Sequence, residues 1–192
     1  MRKTVLTFGL ISGAILSVMM LATIPFMDGI GFDRGEVIGY TTMVLAFLLV
    51  FFGVRSYRDN VAGGVVSFAR AFVVGILIVV VASACYVATW EVIYVKFTPD
   101  FMEKYQAYVI EKARANGESQ ASIDKRAAEL QHYAEMYKNP LMNVAMTFLE
   151  PLPVGLVFAL VSAGILRRRR QPRGVPAAAG GREVALSPGA RS

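Results

Sequence analysis

The sequence predicts an all-α protein: a four-transmembrane-helix bundle with an extracytoplasmic amphipathic helical hairpin between spans 3 and 4. Three observations carry this prediction. The chain has 192 residues, 55% hydrophobic and only 18% charged, with mean hydropathy +0.50. Soluble domains are about 25% charged and about half apolar, so the surplus apolar surface calls for a lipid solvent. Between Arg70 and Glu91 no residue is charged. As a helix that stretch is about 32 Å long at 1.5 Å per residue, which matches a hydrocarbon core of about 30 Å. Four apolar blocks of this kind use most of the chain and leave room for one polar element, at 96–140.

The first span covers about 4–27 and follows Arg2 and Lys3. A signal peptide's apolar region runs about 7–15 residues, so this longer block reads as an uncleaved anchor. Gly9, Gly13 and Ser17 recur every four residues. They form a small-residue face that lets another helix approach closely, either inside the bundle or in a dimer. Residues 28–36, DGIGFDRGE, read as a short loop of turn formers. The second span covers about 37–54 and ends at Arg55, with Tyr40 as an interfacial anchor. Residues 55–64, RSYRDNVAGG, read as the second loop. Its Gly-Gly pair is no phosphate loop, because the following lysine and the longer glycine pattern are missing. The third span covers about 68–95, with the single cysteine, Cys85, in its middle. A lone thiol makes no internal disulfide and tells nothing of redox compartment.

The polar element is expected to be a helical hairpin at about 99–139. Phe101, Tyr105, Tyr108 and Val109 share one helical face. Asn116-Gly117 is a stop signal, and Ser119 or Ser122 can cap the next helix. Ile123, Ala127, Leu130, Ala134 and Tyr137 make the second stripe. Two amphipathic helices joined by NGES read as an αα-hairpin. The fourth span covers about 141–166 and is irregular. Glu150 precedes Pro151 and Pro153. A residue before proline is pushed out of the α region, so a kink or break is expected there. Residues 169–192 are rich in Pro, Gly and Ala and are expected to form a disordered, basic, cytoplasmic tail.

The basic residues set the topology. Arg2, Lys3, Arg55, Arg58, Arg70, Arg167, Arg168, Arg169 and Arg170 all flank spans on one face. By the positive-inside rule this face is cytoplasmic. Both termini then lie in the cytoplasm, and the hairpin at 96–140 lies outside. The same arginines suit anionic lipid headgroups, at about 1 kcal/mol each. The net charge of +6 is therefore a topology signal, and nucleic acid is not expected as a partner.

Four segments together resemble a known family: SFARAF at 67–72, WE at 90–91, MYKNP at 136–140 and FLEPLPVG at 148–155. In order and spacing they look like the domain-of-unknown-function 4199 family of small bacterial membrane proteins, over roughly residues 4–168. The resemblance implies a compact multi-span module in a bacterial inner membrane. It carries over no activity and no site residues.

Ionisable groups inside spans are functional candidates. Glu91 lies about 32 Å from Arg70, and Glu150 lies about 26 Å from Arg167. The two carboxylates are therefore expected at similar depth, near the outer boundary. One reading is a shared acidic site for a cation, a lipid amine or a proton. The other is two interfacial glutamates paired with Lys96 or Lys138, or reaching water. Trp90, Tyr86 and Tyr94 read as an interfacial belt, or as an aromatic cage for a cationic headgroup. His132 is the only histidine, and no nucleophile–base set accompanies it. Neither a metal site, a cofactor nor an enzymatic activity is expected. The leading function is a structural or accessory membrane module, its hairpin at 99–139 offered to a membrane-protein partner, to a second copy or to the bilayer surface. The alternative is a small transporter or channel subunit using Glu91 and Glu150.

Overall fold

The computed structural model describes residues 1–167, apart from the side chains of Met27 and Asp28. The tail expected at 169–192, together with Arg168, Arg169 and Arg170, lies outside the described residues. The described chain is helical throughout, with no strand. Its helices are α1 (Arg2–Thr23), α2 (Met27–Asn60), α3 (Phe68–Lys96), α4 (Phe101–Ala115), α5 (Gln120–Tyr137), α6 (Pro140–Leu149) and α7 (Leu152–Leu166). A 3-10 turn, Ile24–Phe26, joins α1 to α2. Four stretches are long and apolar enough to cross a membrane: Arg2–Phe26, Gly29–Asn60, Phe68–Lys96 and Pro140–Leu166.

The third span is the hub, touching α1, α2, α6 and α7. Small residues set how closely its neighbours approach. A Cβ placed on Gly9 would lie 2.7 Å from the Cβ of Val81, and one on Gly13 2.6 Å from the Cβ of Cys85. One step further, Thr89 donates a hydrogen bond to the Ser17 hydroxyl at 2.7 Å. The three pairs share one offset, so α1 and α3 run parallel in fixed register. The small-residue face of the first span is thus spent inside its own bundle. Against α7 the register is antiparallel: Gly75 meets Ala159, and Gly155 meets Val79. Continued in both directions, this pairing sets Ala71 level with Ala163 and Ser83 level with Pro151, all four fully buried. Ser12 donates to the Ala46 carbonyl at 3.0 Å and ties α1 to α2. Phe47, Val50, Ile78 and Val79 fill the centre.

Both loops flanking the second span are shorter than the sequence suggests. Helix occupies most of 28–36, broken only at Gly31, whose φ is +72°. Phe32 restarts the helix, and Asp33 and Glu36 then sit in its first turns, where carboxylates favour the helix dipole. At the other end the helix continues past Arg55 to Asn60, supported by an Arg55–Asp59 pair one turn apart at 3.7 Å. The fourth span divides at Glu150 and Pro151, between α6 and α7. Glu150 nevertheless keeps helical angles, φ −61° and ψ −52°. The break comes instead from the missing N–H groups of Pro151 and Pro153, which leave the Thr147 and Leu149 carbonyls without their helical donors.

The hairpin consists of α4 and α5, which pack on each other. Gly117, at φ +72°, makes the turn. Ser119 caps α5 by accepting the Ser122 N–H. Glu118 accepts from the Ser122 hydroxyl at 2.7 Å and from Arg126 at 2.9 Å. These bonds, the serine bond foremost, hold the Glu118 carboxyl below its ordinary range. A lowered carboxyl stabilises the fold above its unfolded pKa of about 4.3, and that contribution is lost as pH falls through the folded value. The protection factors of the amides in the first turn of α5, corrected for intrinsic exchange, should therefore fall between pH 5 and about pH 3. Ser119→Ala should cost the hairpin about 1 kcal/mol at neutral pH, read by the same measurement.

Candidate functional site

The polar chemistry gathers at the end of the bundle that carries the hairpin. Two clasps hold the hairpin there. In the first, the Phe32 ring packs against Phe101, Tyr105 and Tyr108 of α4, with centroids 5.8, 5.5 and 5.0 Å away. Lys112 then donates to the Asp33 carboxylate and, at 3.1 Å, to the Tyr108 hydroxyl. These bonds, that to Asp33 first, hold the Lys112 ammonium above its ordinary range.

The second clasp centres on Tyr137, the last residue of α5. Trp90 donates its indole N–H to the Tyr137 hydroxyl at 2.6 Å. That hydroxyl lies 3.5 Å from Thr147 Oγ1, which donates to Asn143 at 3.2 Å. Asn143 and Thr147 are buried. The chain of bonds crosses from α3 through α5 to α6. Tyr94 packs edge-on against Tyr137 at 5.3 Å, and Trp90 against Phe101 at 4.9 Å. Burial, before any other cause, pushes the Tyr137 phenol above its ordinary range, and the nearby carboxylates of Glu150 and Glu91 push the same way. Trp90→Phe keeps an aromatic ring and removes the donor. It should lower the unfolding free energy in detergent by about 1–2 kcal/mol, measured by circular dichroism.

Glu91 and Glu150 both stand at this end, close enough to act on Tyr137. No hydrogen bond joins them. Glu150 accepts the Tyr86 hydroxyl at 2.8 Å. Glu91 is half-buried, and its Oε1 has no hydrogen-bond partner among the described residues. Among the described residues neither Lys96 nor Lys138 forms an ion pair with Glu91 or Glu150, and Lys138 binds Glu135 at 2.8 Å. Trp90 and Tyr94 are clasp residues as much as a belt, because Trp90 bonds to Tyr137 and Tyr94 packs on it. His132 is exposed on the outward side of α5, beside a shallow groove it shares with Ala128, Glu129 and Tyr133. Among the described residues no group of three His, Cys, Asp or Glu side chains is placed to hold a metal ion.

Sequence reading missed three partners: Asp33 for Lys112, Tyr137 for Trp90, and Tyr86 for Glu150. The first had a signal, since FDRGE after a glycine can open a helix as well as fill a loop. The others depend on how helices distant in sequence pack, which no local pattern encodes.

The opposite end carries the arginines. Arg55 and Arg58 both reach Asp59, at 3.7 and 2.7 Å. Arg167 lies over the Phe68 ring, 6.0 Å from its centroid. Arg70 and Arg167 form no ion pair among the described residues.

Together these features define a class: a four-span helical bundle of membrane type, closed at one end by a docked amphipathic hairpin. Residues 7–168 match the family described as "Protein of unknown function (DUF4199)", and the chain belongs to that family. No curated protein and no solved structure matches the chain.

Proposed function

We propose that this protein is a structural or accessory module of a bacterial inner membrane, with both termini in the cytoplasm and its hairpin facing outward. It is not an enzyme in this reading. The observation that carries it is the docked hairpin. The aromatic side of α4 and α5 is spent on the bundle, which leaves a rigid polar face directed away from it. On α5 that face holds Asp124, Lys125, Arg126, Glu129, Gln131 and His132, all exposed. Alternating charge on a rigid helix suits recognition of a protein partner more than insertion into lipid. The transporter alternative is weaker. Glu150 is bonded to a tyrosine, Glu91 is not joined to it, and among the described residues no Asp, Glu, Lys, Arg or His lies in the middle of a span, where coupled transport places its ions.

The test uses the lone cysteine. In a Cys85→Ala background, a cysteine at Ser119 reports the side of the hairpin turn by labelling with a membrane-impermeant maleimide in whole cells. A photo-crosslinker at Lys125 or His132 then captures what the face meets. The reading expects labelling from outside and one reproducible membrane-protein adduct. Labelling only after lysis would overturn the orientation, and lipid-only adducts would overturn the partner.

A further inference from the structure

We infer that the break in the fourth span holds an ordered water molecule, bound between the Ser83 hydroxyl of α3 and the Thr147 carbonyl of α6. This site is independent of what the hairpin meets. Ser83 is fully buried, and its hydroxyl has no hydrogen-bond partner among the described residues. A hydroxyl inside a helix can turn back to the carbonyl four residues earlier. Thr42 does so to Ile38 at 2.8 Å, and Thr89 to Cys85 at 2.9 Å. Ser83 makes no such bond to Val79, so its hydroxyl is not spent on its own helix.

Two contacts bracket Ser83 on the side of α3 that faces the fourth span. One turn earlier, the Val79 side chain fills the space beside Gly155. One turn later, the Tyr86 hydroxyl donates to Glu150 at 2.8 Å. Positions 79, 83 and 86 share one helical face, so Ser83 stands opposite the segment from Glu150 to Gly155. Pro151, level with Ser83 in the α3–α7 pairing, is fully buried as well. It has no N–H, so the Thr147 carbonyl, one turn before it, lacks its helical donor. Thr147 is itself buried, which puts that carbonyl on the inner side of the helix, the side Ser83 faces. The other carbonyl freed by a proline, that of Leu149, aims at Pro153, which is exposed. One donor without an acceptor and one acceptor without a donor therefore lie across the same buried seam.

Water suits this pair. No direct hydrogen bond joins the two groups, and in hydrocarbon neither can turn to solvent. A water molecule accepts from the hydroxyl and donates to the carbonyl at once. Buried waters are held in this way by two to four groups that would otherwise go unsatisfied. Prolines in membrane helices are tolerated where ordered water satisfies the backbone they free. A metal cation needs more oxygens than one carbonyl and one hydroxyl. The carboxylate of this segment, Glu150, is already bonded to Tyr86 and belongs to an exposed residue.

Radiolytic footprinting of the full-length chain in detergent, read residue by residue by mass spectrometry, tests this. An X-ray pulse turns bound water into hydroxyl radicals, which mark the side chains that touch it. Corrected for intrinsic reactivity, Pro151 should be marked at least about fivefold faster than Phe47, which is equally buried but lies in the apolar centre. Ser83→Ala removes the donor and should slow the marking of Pro151 at least about threefold, with Phe47 unchanged. Should that variant fail to fold, the comparison of Pro151 with Phe47 in the parent chain carries the test alone. Marking of Pro151 no faster than Phe47 would mean a dry break and overturn the site. So would equal marking of Pro151 in Ser83→Ala and the parent, which would trace the radicals to solvent entering beside Glu150. Loss of the marking in excess sodium or potassium chloride, against choline chloride at equal ionic strength, would reassign the site to a monovalent cation and overturn the water.

Discussion

Gly13→Ala lowers the unfolding free energy in detergent by about 3 kcal/mol, among the largest effects expected of any single methyl group in this protein. The added Cβ meets the Cβ of Cys85 at 2.6 Å and its sulfur at 2.8 Å. Neither can retreat, because both belong to helices held in register at Val81 and Thr89. The contrast is Gly164→Ala in α7, where an added Cβ meets nothing within 4 Å. There alanine should stabilise by about 0.5–1 kcal/mol through helix propensity alone. The partner can also be cut back. In the Gly13→Ala/Cys85→Gly double variant the CH2–SH group that the new methyl meets is gone, and part of the loss should return, less the cost of a glycine inside α3. Chemical unfolding followed by circular dichroism reads all three. If Gly13→Ala is as stable as Gly164→Ala, the α1–α3 seam does not hold the bundle.

The second large effect falls on the hairpin. Phe32→Ala removes the ring that packs on Phe101, Tyr105 and Tyr108, and each such aromatic pair is worth about 0.5–1.5 kcal/mol beyond the area it buries. Docking of α4 should weaken by about 2–3 kcal/mol, so amide exchange across Phe101–Ala115 should accelerate about thirtyfold to a hundredfold. Exchange in the buried middle of α3, around Ile78 and Ala82, should not change. The surface pair beside Phe32 offers a control of a different kind. Asp33→Asn breaks the ion pair with Lys112, yet both side chains are well exposed, so its effect should be small beside that of Phe32→Ala. Equal exchange in Phe32→Ala and the parent chain would mean that the second clasp alone keeps the hairpin down.

Much of this architecture was legible in the residues. Charge-free stretches of span length mark three of the apolar helices, and the fourth is interrupted by a single carboxylate, Glu150. Asn116-Gly117 and Ser119 mark the hairpin turn, because a positive φ and a cap are local requirements. Pro151 and Pro153 mark the break in the fourth span, through their missing donors. The failures are as physical. Asp28 to Glu36 looks like loop because glycine and aspartate favour turns, yet Phe32 gains enough by packing on α4 to draw the segment into helix. Arg55 looks like the end of a span because charge leaves the bilayer, but leaving the bilayer does not end a helix. For the candidate site, counting residues puts Glu91 and Glu150 at the same end of the bundle. The hydrogen bond from Tyr86 to Glu150 is not legible in this way, because the two residues are 64 apart in sequence.

The fixed register between the first and third spans also has a consequence for how the chain is made. Ser17 and Thr89 are 72 residues apart. At synthesis rates of about 5–20 residues per second, the seam of the first span waits roughly 4–14 s for its partner to emerge. For that interval Gly9, Gly13 and Ser17 face whatever the insertion machinery presents. The bundle therefore closes late and from the middle, once α3 arrives to meet α1 and α2, and α7 seals a structure whose order of assembly is written in the order of its spans.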